Sequence, residues 1–112
     1  MAQRYSSSPI GDVLALYTTL HPEEVEEFLE KNAFLVPLVS AAYENIVKYF
    51  SHSQVTLDLE VDDEDFTESL AVHVITDLPL EEAYKQLKQF DRQWWLNVLD
   101  QADSKFYVDL RF

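Results

Sequence analysis

The sequence contains no cysteine and only one glycine among its 112 residues. Without cysteine the chain can form neither disulfide bonds nor thiolate metal sites, and because small secreted domains often depend on disulfides, this absence favours the reducing cytoplasm. A single glycine, Gly11, cannot build the glycine-rich loop that holds phosphates in many nucleotide-binding proteins. The nucleophile elbow G-x-S-x-G and the zinc motif H-E-x-x-H are also missing. We therefore predict no cofactor and no metal site of a familiar kind.

Basic residues are scarce: eight lysines and arginines stand against 21 aspartates and glutamates, a formal net charge of −13. Phosphate backbones and anionic lipid surfaces repel such a chain, so we expect no direct nucleic-acid binding and no membrane association. A basic protein partner would be attracted and steered by this charge. The alternative is that the acidity only keeps the protein in solution.

Long apolar segments are absent, yet 47% of the residues are hydrophobic, which is typical of a folded chain. A length of 112 residues is close to the commonest size of one domain. We predict a single domain over residues 1–112, with residues 1–10 as a loose lead-in.

Helical spacing of apolar residues marks three segments. The first begins at His21-Pro22, where a proline and two glutamates suit the positive end of a helix, and it carries the stripe Val25, Phe28 and Leu29. The second covers residues 34–50 and is apolar on most sides, which predicts a buried helix. The third begins near residue 80 and ends near residues 100–103.

Alternation of apolar and polar residues predicts three strands, at residues 55–61, 70–75 and 106–112. The first two form an antiparallel hairpin closed by an acidic turn. The order α-α-β-β-α-β predicts an α+β two-layer sandwich, with helices on one face of a three-stranded, mainly antiparallel sheet. The residues leave open whether the last strand pairs with the first or with the second.

The outer face of this sheet collects charged side chains. By alternation it carries Asp58 and Glu60, then His73, then Asp109 and Arg111. A histidine among carboxylates can form a metal site or a general acid–base pair. The other interpretation is a solvated face with ordinary ion pairs between strands, because a lone histidine lacks a diagnostic ligand spacing.

The predicted hairpin turn consists of Asp62, Asp63, Glu64 and Asp65. It lacks the glycine and the final glutamate of an EF-hand loop, so calcium binding is not expected. A solvated turn is the simplest interpretation, and attraction of a basic partner is the functional one. More widely, acidity is concentrated in residues 23–30 and 62–68, so a basic partner is expected to approach the first helix or the hairpin.

Two adjacent tryptophans close the third helix. Neighbouring positions on an α-helix point about 100° apart, so Trp94 is expected to continue the buried stripe and Trp95 to lie at its border. Tryptophan is a frequent anchor of protein interfaces, which makes Trp95 a candidate contact for a partner. The alternative is that Trp95 packs within the fold.

The second half of the chain resembles a family of short, acidic, uncharacterised bacterial proteins, many of them cyanobacterial. The resemblance lies in Phe90-Asp91-Arg92-Gln93-Trp94-Trp95-Leu96 and in Asp109-Leu110-Arg111-Phe112, which follow the pattern Phe-Asp-x-x-Trp-Trp-Leu, a spacer, then Asp-Leu-x-Phe. It implies no established activity. The small size and the acidity of the family are similar to those of antitoxin or immunity-type partners, which is an analogy only.

Two functional hypotheses follow from the residues. The first is a non-catalytic, acidic interaction module of the cytoplasm, an antitoxin-like or regulatory partner of a basic protein, with a homodimer formed through the sheet edge or through Trp95. Its partner-binding residues would be Asp62, Asp63, Glu64, Asp65 and Trp95. The alternative is a small metal-dependent or acid–base enzyme that uses His73 with Asp58, Glu60 or Asp109.

Overall fold

The computed structural model describes residues 9–51 and 53–111 of the chain. Five helices and three strands follow one another in these residues: α1 Pro9–Leu16, α2 Pro22–Lys31, α3 Val36–Tyr49, β1 Gln54–Val61, β2 Glu68–Ile75, α4 Leu80–Phe90, α5 Leu96–Val98 and β3 Phe106–Arg111. Short 3-10 turns precede α3, at Ala33–Leu35, and follow α5, at Leu99–Ala102. The fold is α+β, as the sequence predicts.

Helix α1 is the element that periodicity did not identify. Its apolar run is short, and such a run does not distinguish a helix from a strand. Residues 9 and 10, assigned to the lead-in, form the first turn of α1. Val13 in the middle of this helix is 1% exposed and joins the core. Residues 1–8 and the predicted end of the last strand, Phe112, lie outside the described residues.

Helix α2 follows from its sequence in a simple way. Pro22 lies in the first turn, where its missing N–H has no helical partner to lose, and Glu23 and Glu24 lie beside the positive end of the dipole. Val25, Phe28 and Leu29 are buried at 0–5% exposure, and the glutamates between them are exposed. The helix therefore presents one apolar face to the core and one acidic face to solvent.

The sheet has the order β1-β2-β3, with β2 in the centre. β1 pairs antiparallel with β2, but β2 pairs parallel with β3, so the sheet is mixed and the prediction of a mainly antiparallel sheet is only partly matched. The reason lies in the connections. A short turn joins β1 to β2 and reverses the chain, whereas the long helical crossover from β2 to β3 returns the chain in the same direction.

The core lies between the helices and the inner face of the sheet. That face contributes buried residues from all three strands, and α1, α2, α3 and α4 cover it: Leu57, Leu70, Val72, Val74 and Phe106 face Val13, Leu29, Val39, Ile46 and Phe90 in one continuous cluster. The longest helix, α3, has 14 residues. Within the described part of the chain, none of the helices combines the length and the apolar character needed to cross a membrane.

The end of the third predicted helix departs from regular α-helix. α4 stops at Phe90, and Asp91–Trp95 form a π-helical turn before α5. A π-helical turn contains more residues than an α-helical one, so the side chains that follow are rotated relative to α-helical spacing. The expected roles of the two tryptophans are wrong for this reason: Trp95 is 9% exposed, whereas Trp94 is only partly buried.

Candidate functional site: an acidic cleft and the outer sheet face

A cleft of about 330 Å³ lies between α2 and the base of the β1–β2 hairpin. Four glutamates and one lysine line it, together with three apolar side chains: Glu23, Glu24, Glu27, Glu68, Lys31, Phe28, Leu59 and Val61. The glutamates come from the two acidic segments of the sequence, which the fold brings side by side. We call this feature the acidic cleft.

The position of the acidic cleft follows from the amphipathic pattern of α2. Val25 and Leu29 anchor the helix in the core, and Phe28 beside them reaches the floor of the cleft. Lys31 offsets only one of the four glutamates, since its Nζ is 3.2 Å from Glu27 Oε1. Since both side chains of this i, i+4 pair are more than half exposed, their attraction is weak. The remaining glutamates keep the cleft negative.

The hairpin tip beside the cleft is ordered by its own side chains. Asp62 Oδ1 accepts hydrogen bonds from the backbone N–H of Glu64, at 2.8 Å, and of Asp65, at 3.3 Å. Asp65 Oδ1 accepts in turn from the Thr67 hydroxyl, at 2.7 Å, and this bond lowers the pKa of the Asp65 carboxyl. The carboxylates of Asp62 and Asp65 therefore stabilise the turn through hydrogen bonds, while the carboxylates of Asp63 and Glu64 face solvent.

Phe66 is the unexpected residue of the tip. Its φ of 59° lies in the left-handed region, which a bulky residue adopts at a cost of about 1–2 kcal/mol. The ring is 76% exposed, so it gains little from the core in return. Sequence reasoning missed Phe66, although an aromatic residue inside an acidic turn is a visible signal. A strained, exposed aromatic among carboxylates is a surface feature suited to contact with another molecule.

We expect Phe66→Asn to raise the free energy of unfolding by about 1 kcal/mol, because asparagine tolerates the left-handed region better than phenylalanine. Denaturation in urea measures the change. Phe66→Ala is the matched control, since alanine keeps a Cβ and the strain, and its stability should stay within about 0.5 kcal/mol of the original. A clear loss of stability in the asparagine variant would show that the ring stabilises the fold.

The outer sheet face brings part of the second predicted constellation together. His73 lies in the central strand, opposite Thr56 of β1 and Asp109 of β3. His73 Nε2 is 3.4 Å from Glu60 Oε1, and His73 Nδ1 is 3.7 Å from Asp109 Oδ2. Asp109 Oδ2 also accepts a hydrogen bond from Arg111 Nε at 3.2 Å.

The contact between Glu60 and His73 depends on a small residue between them. Glu60 is paired with Ser69, four positions along β2 from His73, so both side chains must lie along the sheet to meet. Ala71 lies on the same face between those positions, and its single methyl group leaves the space open. Ala71 is fully buried and His73 is only 7% exposed, because the long side chains around them on the outer face cover both residues.

Tyr107 completes this group from β3, where it pairs with Ala71. Burial raises the pKa of its hydroxyl, and the carboxylates of Glu60 and Asp109 raise it further, while Arg111 opposes them. The remaining predicted member, Asp58, shares the outer face and lies on the other side of Ala71. The charged groups of this face are thus close neighbours rather than scattered residues.

The chemistry open to this face is limited by its geometry. His73 Nδ1 is buried without a hydrogen-bond partner, since 3.7 Å to Asp109 is too long for one. Among the described residues, no three histidine, aspartate or glutamate side chains are arranged to hold a metal ion. What the face offers is one imidazole between two carboxylates, which is suited to proton transfer or to ion pairing.

The last predicted contact residue, Trp95, lies inside the fold. Its ring is 9% exposed and packs edge-on against Phe106 of β3, with ring centres 5.8 Å apart. Little of its surface is left for another molecule. The hairpin residues Asp62, Asp63, Glu64 and Asp65, in contrast, are all exposed.

Comparison with known proteins adds no identity to this geometry, because no protein-family model, no curated protein and no solved structure matches the chain. The resemblance of the second half to short, acidic bacterial proteins stays a prediction.

Proposed function

We propose that this chain is a non-catalytic, acidic interaction module of the cytoplasm, which binds a basic segment of a partner protein as an antitoxin-like or regulatory subunit. The observation that carries the proposal is the convergence of α2 and the hairpin on one cleft that both glutamates and apolar side chains line. A cleft lined by one sign of charge concentrates its field and attracts the opposite charge.

The lining of the acidic cleft indicates what the bound segment should look like. Its glutamates would pair with lysines or arginines, which steers association and selects against acidic partners. Its floor contains Leu59 and Val61, and Val61 is 52% exposed although its side chain is apolar. Removing such apolar surface from water favours association. The expected ligand is therefore a segment in which basic and apolar residues alternate.

Charge reversal in the cleft tests the proposal. The probe is a short fluorescent peptide in which lysine alternates with leucine, and its binding is measured by anisotropy at physiological salt. We expect the double variant Glu27→Lys with Glu68→Lys to weaken binding at least about tenfold, which corresponds to about 1.4 kcal/mol. One residue comes from α2 and the other from β2, so the variant alters both walls of the cleft.

A matched control separates the cleft from the total charge. Glu44→Lys with Glu81→Lys changes the net charge by the same amount at exposed positions on α3 and α4. We expect this control to alter the dissociation constant by less than about threefold, because neither residue lines the acidic cleft and salt screens exposed charges that lie away from the peptide. Equal weakening in both double variants would mean that the peptide senses only the net charge, and the proposal would be abandoned.

The hairpin tip extends the proposed interface beyond the cleft. Asp62, Asp63, Glu64 and Asp65 add negative charge there, and Phe66 adds an exposed ring. Aromatic side chains such as phenylalanine are enriched in protein interfaces. Of the two routes to a homodimer that the sequence suggests, contact through Trp95 is disfavoured by its burial, which leaves the sheet edge.

The alternative is a small acid–base or metal-dependent enzyme at the outer sheet face. The specific observation in its favour is the buried, unpartnered Nδ1 of His73 beside Glu60 and Asp109. Against the metal-dependent form stands the lack of a three-ligand group in the described residues. The interaction module has the better support, because its cleft is open to a partner while the imidazole is covered by its neighbours.

A further inference from the structure

The two edges of the sheet differ. At the β1 edge, the Thr18 backbone covers the strand: Thr18 N–H donates to the Val55 carbonyl at 3.2 Å, and Leu57 N–H donates to the Thr18 carbonyl at 2.9 Å. At the β3 edge, no strand pairs with the outer side within residues 9–51 and 53–111. An uncovered edge presents a row of free backbone groups and is a template for another strand.

Hydrogen bonds to β2 show which backbone groups of β3 point outward. Leu70 N–H donates to the Lys105 carbonyl and Thr76 N–H to the Arg111 carbonyl, so odd-numbered residues of this segment direct their backbone towards β2. Because direction alternates along a strand, Phe106, Val108 and Leu110 point their N–H and C=O groups to the open edge.

Strand β3 lacks three of the common devices that protect a sheet edge. Exposed edges are commonly blocked by proline, by lysine or by a bulge that interrupts the pairing. The segment Phe106–Arg111 contains neither proline nor lysine, and its register with β2 runs without interruption from Phe106 to Arg111. The edge is therefore open to a second strand along its whole length.

We propose that β3 pairs antiparallel with β3 of a second copy of this chain, with the two-fold axis at Leu110, to form a dimer with one continuous sheet. Leu110 then exchanges backbone hydrogen bonds with its own counterpart. On the outer face, Asp109 lies directly opposite Arg111 of the second copy, and the reverse pair forms by symmetry. The two side chains already lie 3.2 Å apart within one chain, so the dimer joins four charges of alternating sign.

Charge repulsion argues against the two adjacent registers. An axis at Asp109 would place two copies of that aspartate opposite each other. An axis at Val108 would place Arg111 opposite Lys105 of the second copy. Like charges directly opposite in an antiparallel pair are destabilising, whereas opposite charges stabilise it. Self-association through β3 goes beyond the acidic cleft and does not depend on it.

Sedimentation velocity over a range of concentrations tests the dimer. We expect the full chain to form a species of twice its 13.1 kDa mass. Asp109→Arg and Arg111→Asp each place like charges across the axis, and each should raise the dimer dissociation constant at least about tenfold. The doubly exchanged variant, with both substitutions, should dimerise within about threefold of the original chain.

Mixing the two single variants separates an interchain contact from the ion pair inside one chain. One variant then presents two arginines and the other two aspartates, so a mixed dimer regains both cross-strand pairs while neither chain regains its internal pair. We expect the mixture to dimerise although each variant alone does not. A structural role of the internal pair would leave the mixture monomeric and would overturn the proposal.

Amide exchange supplies a readout that needs no substitution. The Leu110 N–H should exchange quickly in dilute monomer and become protected as the concentration rises, while the Asp109 N–H, directed at β2, stays protected throughout. A monomer at all concentrations, or an unchanged Leu110 amide in a dimer, would overturn the proposal. Neither result would bear on peptide binding in the acidic cleft.

Discussion

Replacing Phe90 by alanine is expected to lower the free energy of unfolding by about 3–5 kcal/mol. Phe90 is fully buried at the end of α4 and is the largest side chain with no exposure. Truncation removes its apolar surface from the core and leaves a cavity that the neighbouring elements cannot close completely. Since domains of this kind are stable by only about 5–15 kcal/mol, the variant should be close to unfolding at physiological temperature.

The position of Phe90 in a row of aromatic rings explains the size of this effect. The row runs from α3 to β3 through Tyr49, Phe90, Trp94, Trp95 and Phe106. Ring centres are 6.2 Å apart from Tyr49 to Phe90 and 5.6 Å apart from Phe90 to Trp94, in tilted or edge-on geometry that adds to the energy of burial. Phe90 is the link through which α3 contacts the π-helical turn.

Urea denaturation, followed by circular dichroism and tryptophan fluorescence, measures the loss. Phe66→Ala removes the same atoms from a ring that is 76% exposed, and it should cost less than about 0.5 kcal/mol. The tryptophan emission of folded Phe90→Ala should also change, because Trp94 loses its neighbour. Equal effects of the two variants would contradict the burial argument.

The π-helical turn marks the limit of what periodicity can predict. The elements themselves were predictable, because α2, α3 and the strands follow regular spacing with buried residues at the expected positions. At Asp91–Trp95 the backbone adds a residue to one turn, and a rule based on 3.6 residues then assigns the wrong tryptophan to the core. In this turn Trp94 packs on Phe90 and Trp95 packs on Phe106 of β3, and contacts between elements distant in sequence are not encoded in local spacing.

Strand pairing shows a similar limit. The hairpin and its register are local, and alternation together with a short turn was sufficient to predict them. The strand with which β3 pairs depends on the path of the helical crossover between β2 and β3. The packing of the whole core determines that path. From the sequence alone, either β1 or β2 could be the strand that pairs with β3. The fold places β3 beside β2 and parallel to it.

The candidate sites were predictable to different degrees. Alternation placed Glu60, His73 and Asp109 on one face, and the fold brings them into contact because Ala71 leaves space between strands. The acidic cleft required more than pattern. Glu27 and Glu68 are distant in sequence, and only the packing of α2 against β1 makes them walls of one cleft. The distribution of charge along the sequence located the two acidic segments, but it did not predict that the fold brings them together.

Alkaline pH should destabilise this protein steeply through Tyr17, whose ring is 5% exposed and whose hydroxyl donates to the Val39 carbonyl at 2.8 Å. Burial raises the pKa of Tyr17 well above its ordinary value of 10.0, and the neighbouring Tyr43 raises it further. The folded state therefore keeps its proton when the unfolded state releases it. The stabilisation is complete below pH 10 and is lost above it, by about 2 kcal/mol between pH 10 and pH 12.

Tyr17→Phe separates this ionisation from general alkaline unfolding. At neutral pH the variant should be about 1 kcal/mol less stable, because it loses the hydrogen bond to α3. It has no proton to release, so its stability should fall less with pH, and the two curves should cross near about pH 11. Urea titrations from pH 7 upward measure both, and parallel curves for Tyr17→Phe and the original chain would show that Tyr17 does not control alkaline stability.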